Sequence, residues 1–134
     1  MARPVEHGVN QVKAERRRFR QGGELREATA AAVQARVAEL AEDVGGLENV
    51  NSRQLMLMKD AALCDLVVDL TLAELARRGT ALTDSGDVLP VLRTALSFAN
   101  TKRLHLVALG LTPPREKSID DLEAHAARLA AGTA

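Results

Sequence analysis

One long helix-forming segment, residues 52–78, constrains the fold more than any other part of the sequence. Ser52 suits the N-cap of a helix, and Gly79 suits the C′ position that follows a helix. Arg77 and Arg78 are favourable at the negative, C-terminal end of the helix dipole. At 1.5 Å per residue, the segment predicts a helix about 40 Å long.

Apolar residues cover more of this predicted helix than a single packing seam requires. One stripe consists of Leu55, Met58, Ala62, Leu66, Leu70 and Ala73, and four further apolar residues widen it, namely Met56, Leu63, Val67 and Leu75. A helix this apolar requires burial on more than one side. Because one small domain offers little to cover it, the sequence predicts self-association. The predicted interface consists of Leu55, Met58, Leu63, Leu66, Val67 and Leu70.

A shorter helix is predicted before the long one. Its apolar stripe consists of Val33, Val37, Leu40 and Val44, which are spaced by three or four residues. Glu24, near the start, suits the positive end of the helix dipole. The pair Gly45 and Gly46 predicts the end of this helix.

Two further helices are predicted after the long one. The first follows a turn at residues 79–86 and a cap at Asp87, carries Pro90 in its first turn, and closes at Gly110. A Thr-Pro-Pro sequence at residues 112–114 then predicts an extended break. The pair Ser118 and Asp121 resembles a capping box, which predicts a short final helix.

The sequence therefore predicts an all-α fold. Phe19 and Phe98 are the only aromatic residues, so the core must be built from Leu, Val, Ala and Met, a composition that suits helices. A chain of 134 residues fits one domain. The predicted architecture is a long antiparallel helical hairpin at residues 52–110, with an N-terminal helix and a short C-terminal helix. Together they form a helical oligomerisation domain at residues 24–134.

The first 23 residues differ from the rest in charge. They hold six cations and two acidic residues, a net charge of +4, whereas the remainder of the chain carries −4. Gly8, Gly22 and Gly23 interrupt the segment, and no sustained apolar period is evident. Residues 1–23 are therefore predicted to be a flexible basic arm, of which residues 11–20 become helical on a partner.

Five cations within eight residues make this arm the predicted site of nucleic-acid binding. They are Lys13, Arg16, Arg17, Arg18 and Arg20. Such a cluster neutralises several phosphates of double-stranded DNA and releases their counterions, and in a helix it suits phosphates better than base edges. The alternative is an arm that is merely solvated or that docks on acidic residues of its own body.

No pattern predicts an enzyme, a cofactor or a metal site. The three histidines lack the partners that acid-base or nucleophilic chemistry requires, and Cys64 lies in the most apolar helix, where packing is the favoured interpretation. Asp65 and Asp69 share one helical face. They suit either a divalent cation or, as we favour, a polar flank with ion pairs to another helix or subunit. The lone cysteine and the short apolar runs predict a cytoplasmic protein without a membrane span.

The sequence at residues 104–115 resembles the C-terminal part of one known family. The phrase Leu-Gly-Leu-Thr-Pro-Pro-Arg at residues 109–115, after a helix with Pro90 near its start and a loop with Gly79 and Gly86, is similar to the P27-like phage terminase small subunits. The resemblance covers roughly residues 55–116. It implies a ring-forming, non-catalytic protein in the bacterial host cytoplasm that binds viral DNA and delivers it to the large terminase subunit, which holds the ATPase and nuclease.

Two other functions are compatible with the same sequence. One is a small helical dimeric or tetrameric DNA-binding regulator, which has the same basic segment and core but no packaging partner. The other is a purely structural interaction protein whose basic segment docks on protein. The oligomeric state separates the ring from the regulator, and the affinity for duplex DNA separates both from the structural protein.

Overall fold

The computed structural model describes residues 4–78, 90–111 and 116–132. These residues form α-helices and one short 3₁₀ turn at Leu47–Asn49, and they contain no β-strand. The predicted all-α class is therefore confirmed for the described residues. In chain order the helices are α1 (Pro4–Arg20), α2 (Glu27–Asp43), α3 (Ser52–Arg78), α4 (Pro90–Ala108) and α5 (Ile119–Gly132).

The long helix α3 has the bounds that the sequence predicts, but a different residue caps it. The side chain of Asn51 accepts a hydrogen bond from the Gln54 amide at 2.8 Å, and the Gln54 side chain accepts one from the Asn51 amide at 3.0 Å. This reciprocal pair is a capping box, and it places the N-cap one residue before Ser52. Gly79, the predicted C′ residue, lies outside the described residues.

Helix α2 ends where the glycine pair predicts. Gly45 and Gly46 have φ angles of +93° and +106°, and the Gly46 amide donates to the carbonyl oxygen of Ala41 at 2.7 Å. Positive φ is readily adopted only by glycine, so this turn depends on both residues. The helix starts at Glu27, three residues after Glu24, which the sequence placed near the start.

Helix α4 also begins and ends at predicted signals, and helix α5 begins at one. Pro90 starts α4, and Gly110, with φ at +80°, closes it. Ahead of α5, the amide of Ser118 donates to Asp121 at 2.8 Å and the amide of Asp121 donates back to the Ser118 hydroxyl at 3.3 Å, as the capping box predicts. The predicted turn at 79–86, the cap at Asp87 and the break at 112–114 lie outside the described residues.

Helix α3 lies at the centre of the fold, and each of the other four α-helices packs against it. Its N-terminal half joins α1 and α2 in one apolar cluster, while its C-terminal half joins α4 and α5 in a second. Phe98 packs against both clusters. Most of the broad apolar surface of α3 is therefore covered within one chain, with Met56, 48% exposed, as the main exception among the residues named above.

This cover changes the interpretation of the predicted oligomer interface. Met58, Leu63 and Val67 have 0% exposed surface, so in this fold they contact the protomer's own core and cannot reach a second copy. The other three predicted interface residues, Leu55, Leu66 and Leu70, are half-buried and pack against the same core. These six residues therefore pack within their own chain, against α1, α2, α4 and α5, and the association of copies stays a prediction.

Helix α1 occupies the segment that the sequence describes as a flexible arm. Val9, Val12 and Phe19 are buried in the core cluster that contains Met58. Their spacing of three and seven residues defines one helical stripe. Arg16 lies on the same stripe, between Val12 and Phe19. Because a charged residue stands at this position, the apolar period is hard to recognise in the sequence. The segment is thus a packed helix rather than a free arm.

Candidate nucleic-acid interface

The fold divides the five predicted DNA-binding cations into two groups. Arg17, Arg18 and Arg20 are exposed and Lys13 is half-buried, whereas the side chain of Arg16 is only 14% exposed. Within the described residues, the side chains of the first four make no hydrogen bond or ion pair. We call these four residues, Lys13, Arg17, Arg18 and Arg20, the basic face of α1. Their charges are free to meet a polyanion.

Arg16 instead anchors α1 to α3. Its Nε and Nη2 atoms donate to the two carboxylate oxygens of Asp60 at 2.7 and 2.9 Å, and its guanidinium lies 5.3 Å from the centroid of the Phe98 ring. A bidentate pair of this kind fixes orientation as well as adding energy. The prediction that Arg16 binds DNA is therefore corrected, since its hydrogen-bonding groups are already committed. For this one residue, the alternative of docking on the chain's own acids is the correct one.

Asp60 joins three helices at this point. Besides accepting from Arg16 of α1, its carboxylate lies 2.8 Å from Nε2 of His105 in α4. The residue is only 7% exposed. Burial raises the pKa of Asp60, but the hydrogen bonds from Arg16 and His105, followed by the charge of Arg16, more than offset this effect and hold the pKa below its ordinary value.

A second buried carboxylate links α1 to α2. Glu15, with 0% exposed surface, accepts hydrogen bonds from the backbone amide of Arg26 at 2.9 Å and from the hydroxyl of Thr29 at 2.8 Å. Arg26 is the N-cap residue of α2 and makes no side-chain cap of its own. Glu15 therefore caps α2 from the preceding helix. Burial raises the pKa of Glu15, yet these hydrogen bonds and the charge of Arg26 hold it below its ordinary value.

The acidic flank of α3 is paired within the chain. Asp65 accepts from Arg36 at 3.1 Å and from Lys102 at 2.8 Å. Asp69 accepts from Arg36 at 3.3 Å and lies 3.1 Å from Nε2 of His125. The interpretation of this flank as ion pairs to other helices is confirmed, and the carboxylates do not project as free negative charge.

The fold also places the cysteine and the possible metal ligands of the described residues. Cys64 has 0% exposed surface, and burial raises the pKa of its thiol to about 11, which confirms its assignment to the core. Among the described residues, no group of three or more His, Cys, Asp or Glu side chains is placed to hold a metal ion. Nor does any described helix have the length and apolar character that crossing a bilayer demands.

Lowering the pH should destabilise the fold through Glu15 and Asp60. Because the folded state lowers both pKa values, their contribution is complete above the unfolded-state values of about 4 and is lost as the pH falls through the folded-state values. We therefore expect the free energy of unfolding to decline below about pH 5. Urea unfolding, followed by circular dichroism between neutral and acidic pH, measures this slope.

The variant Glu15→Gln/Asp60→Asn is the control for this pH dependence. It removes both titrating groups, so we expect a lower free energy of unfolding at neutral pH and a flatter decline in acid. If the slope of the variant equalled that of the original protein, the other carboxylates would be responsible and the assignment to these two residues would be wrong.

Glu15 and Asp60 organise the contacts between helices, and neither was predicted to do so from the sequence. Both form contacts between helices, and the partner of Asp60 is 44 residues away in the chain. The one local signal was the helical spacing of Val9, Val12 and Phe19, which places Arg16 on the buried side of α1. A buried arginine requires an acidic partner, so this spacing would have directed attention to the acids of α3.

The described residues define an all-helical protein whose first helix carries an outward, unpaired basic face. No protein-family model matches the chain, and no curated protein or solved structure shows significant similarity to it. Among the described residues, the basic face is therefore the surface that bears most directly on function.

Proposed function

We propose that this protein is a non-catalytic protein that binds double-stranded DNA through the basic face of α1. The observation that carries the proposal is the unpaired state of Lys13, Arg17, Arg18 and Arg20 within the described residues. By contrast, Asp60, Asp65 and Asp69 are neutralised by cations of the same chain. Phosphates that approach α1 gain counterion release without repulsion from these acids.

Within that class, we propose a phage small terminase subunit of the P27-like type. Such a protein recognises viral DNA and delivers it to the large terminase, the ATPase and nuclease, for genome packaging in the host cytoplasm. The support is the resemblance at residues 104–115. In this region, Leu109 is 7% exposed, Gly110 has positive φ, and the Leu111 amide donates to the Leu106 carbonyl oxygen at 3.0 Å. Gly110 of the shared phrase thus serves as a helix terminator.

The proposal includes a closed ring of identical subunits. In each subunit, α3 and α4 form the antiparallel hairpin, as the contacts of Asp60 with His105 and of Asp65 with Lys102 suggest. Since the core of α3 is covered, the contact between copies is assigned to exposed apolar side chains. Leu104 and Val107, one turn apart on α4, are 57% and 52% exposed. Repetition around a ring would multiply weak phosphate contacts into avidity.

A small dimeric or tetrameric DNA-binding regulator is the second candidate. The observation that favours it is the internal cover of α3, which removes the requirement for a ring. Native mass measurement, with and without duplex DNA, distinguishes the two candidates. A closed ring of many subunits supports the terminase proposal, and a dimer or tetramer in both conditions supports the regulator.

The triple variant Arg17→Ala/Arg18→Ala/Arg20→Ala tests the basic face. Because the three side chains are exposed and unpaired, we expect the helical content and the melting temperature to be retained. Affinity for duplex DNA should fall about a hundredfold at moderate salt, and the slope of log affinity against log salt should decrease by about 2–3, close to one for each side chain that contacts a phosphate. Fluorescence anisotropy with a labelled duplex over a salt series measures both quantities.

A second triple variant, Arg53→Ala/Arg93→Ala/Lys117→Ala, is the matched control. It removes the same charge from exposed positions on α3, on α4 and in the segment just before α5. We expect its affinity to change by less than about threefold, since distant exposed charges are screened by salt. Equal losses in the two variants would show that net charge alone drives binding. If the original protein failed to bind duplex DNA, the structural interaction protein would become the better description.

A further inference from the structure

The packing of α1 defines which side of that helix faces outward. Val9, Val12 and Phe19 are directed into the core, so the opposite side of the helix is turned away from the protein. Asn10 and Arg17, both exposed, lie on that side. They are seven residues apart, which corresponds to two helical turns and about 10 Å along the axis. The outermost line of α1 therefore carries an amide and a guanidinium.

Cations flank this line on both sides. At 100° of rotation per residue, Lys13 and Arg20 lie to one side of the line through Asn10 and Arg17, while Arg18 lies to the other. Arg16 does not contribute to either flank, because it is committed to Asp60. The helix thus presents two polar side chains with planar hydrogen-bonding groups between two positively charged borders.

The outward line is also unobstructed. Helix α1 packs mainly on α3, and it reaches the start of α2 through Glu15 on its inner side. Within the described residues, the side chains of Asn10 and Arg17 make no hydrogen bond or ion pair. Their donors and acceptors are therefore available to a ligand that approaches α1 from outside.

We infer that α1 enters the major groove of duplex DNA and reads its sequence through Asn10 and Arg17. The inference rests on the proposed function and adds to it a preference for particular DNA sequences. The major groove of B-form DNA, about 12 Å wide, admits an α-helix, and the cations on the two borders then face phosphates of the two strands. Asparagine forms a bidentate pair with adenine, and arginine forms one with guanine. The spacing of the two side chains matches about three base-pair steps of 3.4 Å.

The buried contacts of α1 give this arrangement a fixed orientation. Arg16 binds Asp60 at 2.7 and 2.9 Å, and Glu15 holds the start of α2. These contacts lie on the inner half of the helix, so they oppose rotation about its axis. Asn10 and Arg17 consequently face outward before DNA binds, which reduces the entropy lost on binding.

Selection of duplexes from a randomised pool by the full-length protein tests the inference. We expect enrichment of a guanine and an adenine separated by about three base pairs. Asn10→Ala should remove the preference at the adenine and Arg17→Ala the preference at the guanine. Each variant should lose about 5- to 150-fold of discrimination at its own position. Lys13→Ala is the control: its affinity for all sequences should fall together while the preferred sequence stays the same.

The possible outcomes separate this inference from the proposed function. If the protein binds duplex DNA without sequence preference, or if both alanine variants retain the original preference, the inference is overturned and the proposed function stands. If no duplex DNA is bound, both fail. Equal affinity for duplex RNA would also overturn the inference, because the major groove of A-form RNA is too narrow for a helix. Circular dichroism of each variant verifies that the fold is retained.

Discussion

Replacing Asp60 by alanine is expected to lower the free energy of unfolding by about 3 kcal/mol or more. The substitution leaves the guanidinium of Arg16, only 14% exposed, without its bidentate partner and removes the acceptor that faces His105. A charge left buried without its partner costs far more than the net value of the original pair. Three helices meet at this carboxylate, so cooperative urea unfolding, measured by circular dichroism, should report the whole loss.

Two further variants test whether the stability lost in Asp60→Ala comes from the buried, unpaired charge of Arg16. Asp65→Ala removes an ion-paired carboxylate that is 29% exposed, and its expected cost is below about 1 kcal/mol. The double variant Arg16→Met/Asp60→Leu removes both charges and should recover much of the stability that Asp60→Ala loses. Equal costs for the Asp60 and Asp65 substitutions would contradict the description of Asp60 as a buried anchor.

Replacing Glu15 by alanine should have the second largest effect. The backbone amide of Arg26 and the buried hydroxyl of Thr29 both lose their acceptor, and α2 loses its N-terminal cap. Unsatisfied buried groups cost about 1–3 kcal/mol each, so we expect a total loss of about 2–4 kcal/mol. Urea unfolding under the conditions used for Asp60→Ala measures this loss.

The control for Glu15 is Glu27→Ala in the first turn of α2. Glu27 is exposed and stabilises α2 only through the helix dipole, a contribution of about 0.3–1 kcal/mol. Glu15→Gln retains one carbonyl oxygen for Thr29 but presents a donor toward the Arg26 amide, so its loss should be intermediate. A Glu15 variant no less stable than the Glu27 variant would show that α2 forms without help from α1.

Signals that act over a few residues predicted the helices well. The glycine pair at the end of α2, Pro90 at the start of α4 and the Ser118 capping box lie where the sequence placed them. Each signal depends on backbone conformation or on a hydrogen bond within four residues, which the sequence contains in full. The bounds of the long helix α3 were predicted for the same reason.

The errors concerned residues whose environment depends on distant parts of the chain. A row of basic residues and several glycines indicated a flexible segment at residues 1–23, but Val9, Val12 and Phe19 were sufficient to bury one side of it. Once α1 packs, Met58 and Leu63 are buried in one cluster with residues of α1 and α2, so their burial does not require other copies of the chain.

The sequence by itself determined that the chain is helical, where most helices begin and end, and that five cations lie within eight residues near the N-terminus. Only the tertiary structure decided that this segment is packed, that Arg16 is an anchor while Arg17 faces outward, and that Glu15 caps another helix. The physical reason is the range of the interactions. Caps and helical periods are local, whereas burying a charge requires a partner that folding brings from far along the chain.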